Sequence, residues 1–160
     1  MTKAVQQPAD ILAFRKSVRE KRGGPHSYAR LLGLKTFESP ALLRKVEAGF
    51  PYRTFETLRR NLDFQSDELA KLVQISERTL ARRREQGRLT AEESDRLLRV
   101  SRVFGKALAL FEGDLNAART WFAMPAPALG NRTPQSVSST GLGAREVENL
   151  IGRLEHGVFS

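Results

Sequence analysis

The stretch from Ser66 to Arg102, which reads SDELAKLVQISERTLARRREQGRLTAEESDRLLRVSR, constrains the fold more than any other part of the chain. It predicts a helix, a tight turn, a second helix and then a third helix. Ser66 and Ser76 have hydroxyl oxygens that can cap the first two helices. Thr90 and Glu93, three residues apart, form the capping box expected at the start of the third.

The apolar residues inside this stretch fit two helices that cross closely. Ala70 is small enough for the contact, Ile75 fills the gap at the turn, and Leu80 holds the second helix down. Many helix-turn-helix units carry glycine at the turn position that Gln74 occupies here. We therefore expect the turn to hold a residue under backbone strain or to use another backbone geometry.

The second helix of this unit is strongly basic. Residues 76–88 carry five arginines against two glutamates, in a chain with 27 basic and 18 acidic residues and a net charge of +9. A helix-turn-helix offers its second helix to the major groove of DNA and uses basic side chains to hold phosphates. The residues expected to contact DNA are Ser76, Glu77, Arg78, Thr79, Arg82, Arg83 and Arg88.

These arginines are expected to differ in what they contact. Arg78 is placed to read a base edge, because recognition helices use their N-terminal residues for that purpose. Arg82, Arg83 and Arg88 are expected to contact phosphates, which position a protein without specifying a sequence. The alternative is a solvated helix face whose arginines pair with the two glutamates of the same helix.

Composition excludes several classes of function. Cysteine is absent, so disulfides, thiolate catalysis and thiolate metal sites are excluded. His26 and His156 stand far apart, and we find no nucleophile–base pair, metal-ligand motif or phosphate loop, so we expect no enzyme, metal site or cofactor. No apolar run approaches the roughly 18 residues of a membrane span, and the N-terminus lacks the apolar core of a signal peptide. We expect a cytoplasmic protein without a membrane partner.

The whole chain is predicted to be all-α, because no segment shows the alternation typical of a strand. Residues 1–35 form a basic N-terminal segment that is helical in part and flexible in part, with residues 1–8 loose. Residues 36–105 contain the helix-turn-helix region. Residues 106–160 form a separate C-terminal helical module.

Capping signals organise the C-terminal module. Asp114 can cap a helix that contains Trp121, which we expect to anchor the core rather than to contact a partner. Thr133 and Pro134 indicate the start of another helix, since proline is favoured at the first helical position. The module therefore contains at least two helices before its last one.

The end of the chain is unusually apolar. Gly141 and Gly143 are expected to break the chain, and the last helix then runs from about Ala144 to His156. Val158 and Phe159 follow, although chain ends are normally polar and frayed. Either Phe159 folds back onto the domain, or the tail docks into a cavity of a partner.

From Phe50 onward the chain carries an ordered set of short motifs. They are Ser76-Glu-Arg-Thr-Leu80, Arg82-Arg83, Gly87-Arg-Leu89, Glu93-Ser-Asp-Arg-Leu97, Ala118 with Trp121-Phe122, Pro125, Leu129-Gly130, Arg132-Thr-Pro134, Thr140 with Gly143 and Val147, and finally Leu150, Arg153, Glu155 and Gly157-Val-Phe159. Together they resemble the Xre/MbcA/ParS-like antitoxin family, specifically the antitoxins of RES–Xre toxin–antitoxin pairs. Asn131 stands where a second glycine is common in that family.

The resemblance implies a two-part antitoxin that is not itself an enzyme. A Cro/C1-like helix-turn-helix region would bind the operator of its own operon, as a homodimer that reads paired half-sites. The C-terminal toxin-binding module would block a RES-domain toxin, an enzyme that consumes NAD, by covering its NAD pocket. The residues expected to contact the toxin are Val147, Leu150, Arg153, Glu155, Gly157, Val158, Phe159 and Ser160.

A second hypothesis remains open at this point. The chain could be a plain helix-turn-helix transcriptional repressor whose C-terminal module only dimerises or senses a ligand. Both hypotheses share the helix-turn-helix, so only the C-terminal module separates them.

Overall fold

The structure, a computed structural model, describes residues 9–19, 26–35 and 38–157. The predictions of a loose segment at 1–8 and of tail contacts at 158–160 lie outside these residues. The described chain folds into α-helices and short 3-10 helices without a β-strand, which confirms the all-α prediction. No helix in these ranges is long and apolar enough to cross a bilayer.

The α-helices are numbered here in chain order. They are α1 (Ala9–Arg19), α2 (Ser39–Ala48), α3 (Tyr52–Asn61), α4 (Ser66–Leu72), α5 (Glu77–Gln86), α6 (Ala91–Leu110), α7 (Leu115–Phe122), α8 (Pro134–Val137) and α9 (Gly141–Glu155). A 3-10 helix at Ser27–Leu32 lies between α1 and α2, and another at Pro127–Leu129 lies between α7 and α8.

The 20-residue helix α6 is the centre of the fold. Leu97, Phe104 and Leu108 on its inner face are fully buried. Around it pack the 3-10 helix at Ser27–Leu32 and the helices α2, α7 and α9. Burying one large apolar side chain stabilises a fold by about 1.5–3 kcal/mol, so this helix contributes a large share of the core.

Helix α6 crosses the boundary predicted between the helix-turn-helix region and the C-terminal module without interruption. One cluster of buried residues extends from Ile11 in α1 through Phe55 in α3 to Ile151 in α9. The two regions therefore share one helix and one core.

The described part of the N-terminal segment belongs to the same core. Ile11 and Phe14 of α1 are buried, as is Tyr28 of the following 3-10 helix. Gly105 of α6 permits their close approach, because a β-carbon there would lie 2.9 Å from Cβ of Tyr28. The absence of a side chain at this position lets the N-terminal helices cross α6 tightly.

Most of the predicted caps are present. Ser76 Oγ accepts a hydrogen bond of 3.1 Å from the backbone N–H three residues later. Thr90 and Glu93 form the predicted capping box, with both hydrogen bonds at 3.2 Å. Asp114 and Thr133 cap α7 and α8 through their side chains.

The cap predicted at the start of α4 was wrong by one residue. The N-cap is Gln65, and Ser66 is the first helical residue. The backbone N–H of Gln65 donates to Glu68 Oε1 at 3.1 Å. The carboxylate of Glu68 therefore occupies the start of the helix, and the hydroxyl of Ser66 is not needed there.

Four described residues other than glycine have a backbone in the left-handed region: Asp63, Gln74, Glu112 and Asn131. Gln74 has a φ of 56°, and Asn131 has a φ of 60°. At the first turn, the N–H of Gln74 donates to Lys71 O at 3.1 Å, and the N–H of Ile75 donates to Ala70 O at 2.9 Å. The strained residue expected in the helix-turn-helix is therefore confirmed, at a cost of roughly 1–2 kcal/mol.

A backbone bridge fastens the end of α5 to the start of α3. The N–H of Tyr52 donates to Gly87 O, and the N–H of Leu89 donates to Phe50 O, each at 2.9 Å. Gly49 makes the approach possible, because it has a φ of 82° and a β-carbon there would lie 2.2 Å from Leu89 O. No other residue type fits this position without moving the bridge.

A buried ion pair joins α5 to α6. Arg83 Nε donates to both carboxylate oxygens of Glu93, with 2.9 Å to Oε2, and both side chains are largely buried. Burial raises the pKa of Glu93, but hydrogen bonds from Arg83 and Thr90 outweigh that effect and hold the pKa below its usual value. One carboxylate thus caps α6 and anchors α5.

The chain break predicted at Gly141 and Gly143 was wrong. Both residues lie in the first turn of α9, where Thr140 Oγ1 accepts a hydrogen bond of 3.0 Å from the Gly143 N–H. A β-carbon on Gly143 would lie 1.8 Å from the carbonyl oxygen of Val137. Glycine is therefore present here because α8 and α9 approach closely.

We predict that Gly143→Ala lowers the free energy of unfolding by about 3 kcal/mol, because the backbone of α8 must move. Gly152→Ala is the matched control in the same helix, since nothing lies within 4 Å of its β-carbon position. That variant should raise the free energy of unfolding by about 0.5–1 kcal/mol. Urea denaturation of both variants checks the pair, and equal effects would contradict the close-contact explanation.

We predict that Glu93→Gln lowers the free energy of unfolding at neutral pH by about 1–3 kcal/mol, because a buried charged hydrogen bond is lost. The folded pKa of Glu93 is depressed. Its stabilisation is therefore full above the unfolded pKa of about 4.3 and disappears as the pH falls through the folded value.

Urea denaturation across a pH series measures this contribution. The difference between the wild type and Glu93→Gln should shrink as the pH falls into the acid range. Glu92→Gln, an exposed neighbour in the same helical turn, should unfold like the wild type at neutral pH. A Glu93→Gln variant as stable as the wild type at neutral pH would contradict the anchoring role.

Candidate functional site

Helix α5 is held in place on both flanks. Leu80 is buried beneath it, and the Arg83–Glu93 ion pair fixes one side to α6. On the other side, Arg84 lies over the ring of Tyr52, 5.6 Å from its centroid, and its Nε donates to the Tyr52 hydroxyl at 3.2 Å. The orientation of α5 is therefore set by contacts with both α3 and α6.

The outer face of α5 presents two arginines to solvent. Arg78 and Arg82 lie one turn apart, are exposed, and project away from the buried leucine. Ser76 and Glu77 at the start of the helix are exposed too, and Thr79 is half-buried. Within the described ranges, no ion pair joins these arginines to a glutamate of α5. These five predicted residues form a basic surface of the kind that a DNA groove accepts.

The two other predicted DNA contacts have partners within the chain. Arg83 is bound to Glu93 and largely buried, so we reassign it from phosphate contact to anchor of the helix. Arg88 is exposed, but its Nη1 donates to Gly49 O at 2.6 Å and to Ala48 O at 3.3 Å. The outward basic surface of α5 is therefore narrower than the sequence predicts.

Helix α9 uses one face for packing and leaves the other exposed. Val147 and Leu150, which the sequence assigns to toxin contacts, are buried in the core, so we correct their role to packing. Their spacing places them on the side of α9 that α6 covers. Among the other predicted contacts, Glu155 and Gly157 are exposed, and Arg153 is half-buried.

Sequence reasoning missed two exposed apolar side chains in this part of the chain. Leu142 in the first turn of α9 is 74% exposed, and Met124 after α7 is 54% exposed. Leu142 was overlooked because it stands between two glycines that indicated a break rather than a helix. Exposed large apolar side chains contribute to protein–protein contacts when they lie together on one surface.

Two cations of α6 hold α9 in place. Arg102 Nε and Lys106 Nζ each donate to one oxygen of Glu148 at 2.7 Å. Burial raises the pKa of Glu148, but the hydrogen bonds from Lys106 and Arg102 outweigh it, and the net pKa lies below its usual value. The exposed face of α9 is thereby oriented relative to α6.

Helix α7 makes a further connection back to the helix-turn-helix. Trp121 packs against the core, as predicted, with its ring centroid 6.3 Å from that of Phe111. Arg119 of the same helix lies 5.2 Å from the ring centroid of Phe64 and 3.4 Å from Asp63 Oδ2. The C-terminal part therefore contacts the segment that leads into α4.

Two family models match the chain one after the other. The model described as "Antitoxin Xre-like helix-turn-helix domain" matches residues 41–102. The model described as "Antitoxin Xre/MbcA/ParS C-terminal toxin-binding domain" matches residues 106–157. The first range contains the basic surface of α5, and the second contains α7, α8 and α9.

Curated relatives are similar over most of the chain. A protein of Yersinia enterocolitica described as "Antitoxin Xre" is 40% identical over 132 residues, which cover 82% of this chain and 89% of the relative. An "Antitoxin Xre" of Photorhabdus laumondii subsp. laumondii is 35% identical with the same coverage, and one of Pseudomonas putida is 33% identical over half of each chain. The chain belongs to the Xre antitoxin family, in which a helix-turn-helix domain precedes a C-terminal toxin-binding domain.

Proposed function

We propose that this chain neutralises a RES-domain toxin that consumes NAD, by covering the active site of the toxin. We also propose that it represses its own operon by binding operator DNA as a homodimer in the cytoplasm. It acts by binding, with no catalytic step and no cofactor. The observation that carries this proposal is the toxin-binding domain match over residues 106–157, which continues directly from a helix-turn-helix domain.

Contacts of α5 support the DNA part of the proposal. Arg83 and Arg84 fix the helix, so that Arg78 and Arg82 project from its outer face. In the complex, Arg78 reads a base edge from the start of the helix, where a bidentate contact to guanine is worth ~1–3 kcal/mol of discrimination. Arg82, one turn later, contacts a phosphate.

The arrangement of α9 supports the toxin part. Its packed face and the pairing of Glu148 with two cations fix the helix, and Glu155 and Gly157 at its C-terminal end are exposed. In the proposed complex, Val158 and Phe159 continue from that end and insert their apolar side chains into the NAD pocket. Arg153 and Glu155 supply polar contacts at its rim.

The plain-repressor hypothesis assigns the C-terminal module only to dimerisation or ligand sensing. The toxin-binding match favours the antitoxin hypothesis instead. Co-expression with the product of the adjacent gene separates the two, with growth and cellular NAD as readouts. The proposal requires that the neighbour deplete NAD and that this chain restore it. A neighbour that is harmless, or whose toxicity this chain does not change, would favour the plain repressor.

Arg82→Ala is predicted to weaken operator binding and leave toxin neutralisation intact, because the side chain is exposed and has no anchoring role. The slope of log affinity against log salt should become less negative by about 0.9, the value expected for one phosphate contact. Fluorescence anisotropy with a duplex from the promoter of its own operon measures both quantities. Arg83→Ala is the contrasting variant, which should also lower thermal stability. An unchanged affinity and slope in Arg82→Ala would contradict the assignment.

Deletion of residues 158–160 is predicted to leave folding and operator binding intact and to weaken toxin neutralisation. These residues follow the last turn of α9 and include the two apolar side chains proposed to insert into the NAD pocket. Growth of cells that co-express the toxin with the shortened chain measures the effect, and circular dichroism checks the fold. Full growth rescue by the shortened chain would show that the tail is not the inhibitory element.

A further inference from the structure

A cleft of about 460 Å³ opens between the 3-10 helix at Ser27–Leu32, α2 and α3. The charged and hydroxyl groups that line it are Asp10, Lys45, Arg53, Thr54, Thr57 and Arg88. Three cations thus face a single carboxylate, and the cleft is net positive. Its volume lies in the range of pockets that bind small ligands, or single groups of larger ones.

The three cations keep their charge available. Among the described residues, no ion pair includes Lys45, Arg53 or Arg88. Lys45 and Arg53 are exposed to solvent. The hydrogen bonds of Arg88 go to the carbonyl oxygens of Ala48 and Gly49, which are neutral groups. They fix the guanidinium at the wall of the cleft without neutralising it.

The cleft adjoins the C-terminal end of α5. The N–H of Tyr52 donates to Gly87 O at 2.9 Å, and Pro51 pairs with Arg88 in an antiparallel bridge. The first turn of α3, which carries Arg53, therefore lies beside the residues that follow α5. The cationic cleft therefore adjoins the C-terminal end of the helix that carries Arg78 and Arg82.

We propose that Lys45, Arg53 and Arg88 bind a phosphate of the DNA backbone beside the groove that α5 enters. This inference rests on the proposed DNA-binding function and adds a second contact region to it. Because phosphate contacts position a protein without reading bases, the cleft contributes affinity that is independent of sequence.

A DNA phosphate fits the cleft better than a free anion does. The cationic side chains at its mouth are exposed, so water and salt compete strongly with a small ion that is held only by them. A phosphate that belongs to DNA already bound at α5 arrives at high effective concentration. The position of the cleft beside the end of α5 therefore favours the DNA backbone as the occupant.

The test compares Lys45→Ala and Arg53→Ala with the control Arg60→Ala. Arg60 is an exposed arginine of the same helix, seven residues from Arg53 and so about 10 Å along the axis. Binding to a duplex from its own promoter and to an unrelated duplex is measured by fluorescence anisotropy over a salt series. Amide chemical shifts of the wild type are recorded in parallel during a titration with inorganic phosphate.

Each cleft variant is expected to lose roughly fivefold to tenfold in affinity for both duplexes at fixed salt. Its slope of log affinity against log salt should become less negative by about 0.9. Arg60→Ala should bind like the wild type. Arg82→Ala provides the reference for loss of a contact on α5 itself.

Three outcomes would overturn the inference. If the cleft variants bind both duplexes like the wild type while Arg82→Ala binds weakly, DNA binding stands and the cleft has no part in it. If the cleft variants bind both duplexes like the wild type while inorganic phosphate changes the amide chemical shifts around Lys45 and Arg53, the cleft is a site for a free anion. If the wild type binds neither duplex, the proposed DNA-binding function fails together with this inference.

Discussion

Helix α6 is buried along most of its length, and it positions the helices α2, α7 and α9, which pack against it. Its N-terminal end receives α5 through the Arg83–Glu93 pair. Its C-terminal half receives α9 through the pairing of Glu148 with two cations. Since the helix is continuous, α5, which carries the surface proposed for DNA, and α9, which carries the described residues proposed to contact the toxin, are fixed relative to each other. Deletion of either region would expose apolar residues of α6.

Five of the described arginines fall into two kinds by their partners. Arg83, Arg84 and Arg119 lie against carboxylates or aromatic rings and hold helices together. Arg78 and Arg82 project to solvent from the outer face of α5. The net charge of +9 therefore overstates the basic surface that α5 itself offers to DNA. The pairing of the first group is also what gives the second group a defined direction.

Local signals made much of the fold predictable from the sequence. Side-chain caps act within three residues, so Ser76, Thr90 and Asp114 could be assigned without knowledge of the tertiary structure. The absence of glycine at Gln74 predicted either backbone strain or another turn geometry, and the structure has the strained residue. The error at Ser66 was one of position, because α4 begins one residue earlier than a serine cap would place it, with Gln65 as N-cap and Glu68 accepting the Gln65 N–H.

Contacts between distant residues were not predictable in the same way. Arg84 and Tyr52 are 32 positions apart, and Lys106 and Glu148 are 42 apart, so sequence spacing contains no sign of either pair. Gly143 was misread because a glycine required by close packing looks the same in sequence as a glycine that ends a helix. Part of the apolar stripe of α9, Val147 and Leu150, was assigned to the toxin, because the sequence does not show that α6 covers it.

Because they share one core around α6, the helix-turn-helix and the toxin-binding part should unfold as one cooperative unit. The chain has one tryptophan, Trp121, which lies in the C-terminal part, whereas far-ultraviolet circular dichroism reports on all the helices. Urea denaturation should therefore be followed by both signals on the same samples. A shared core predicts one transition with the same midpoint and the same slope from both probes. A fluorescence transition displaced from the circular dichroism transition, with a stable helical remainder, would contradict it.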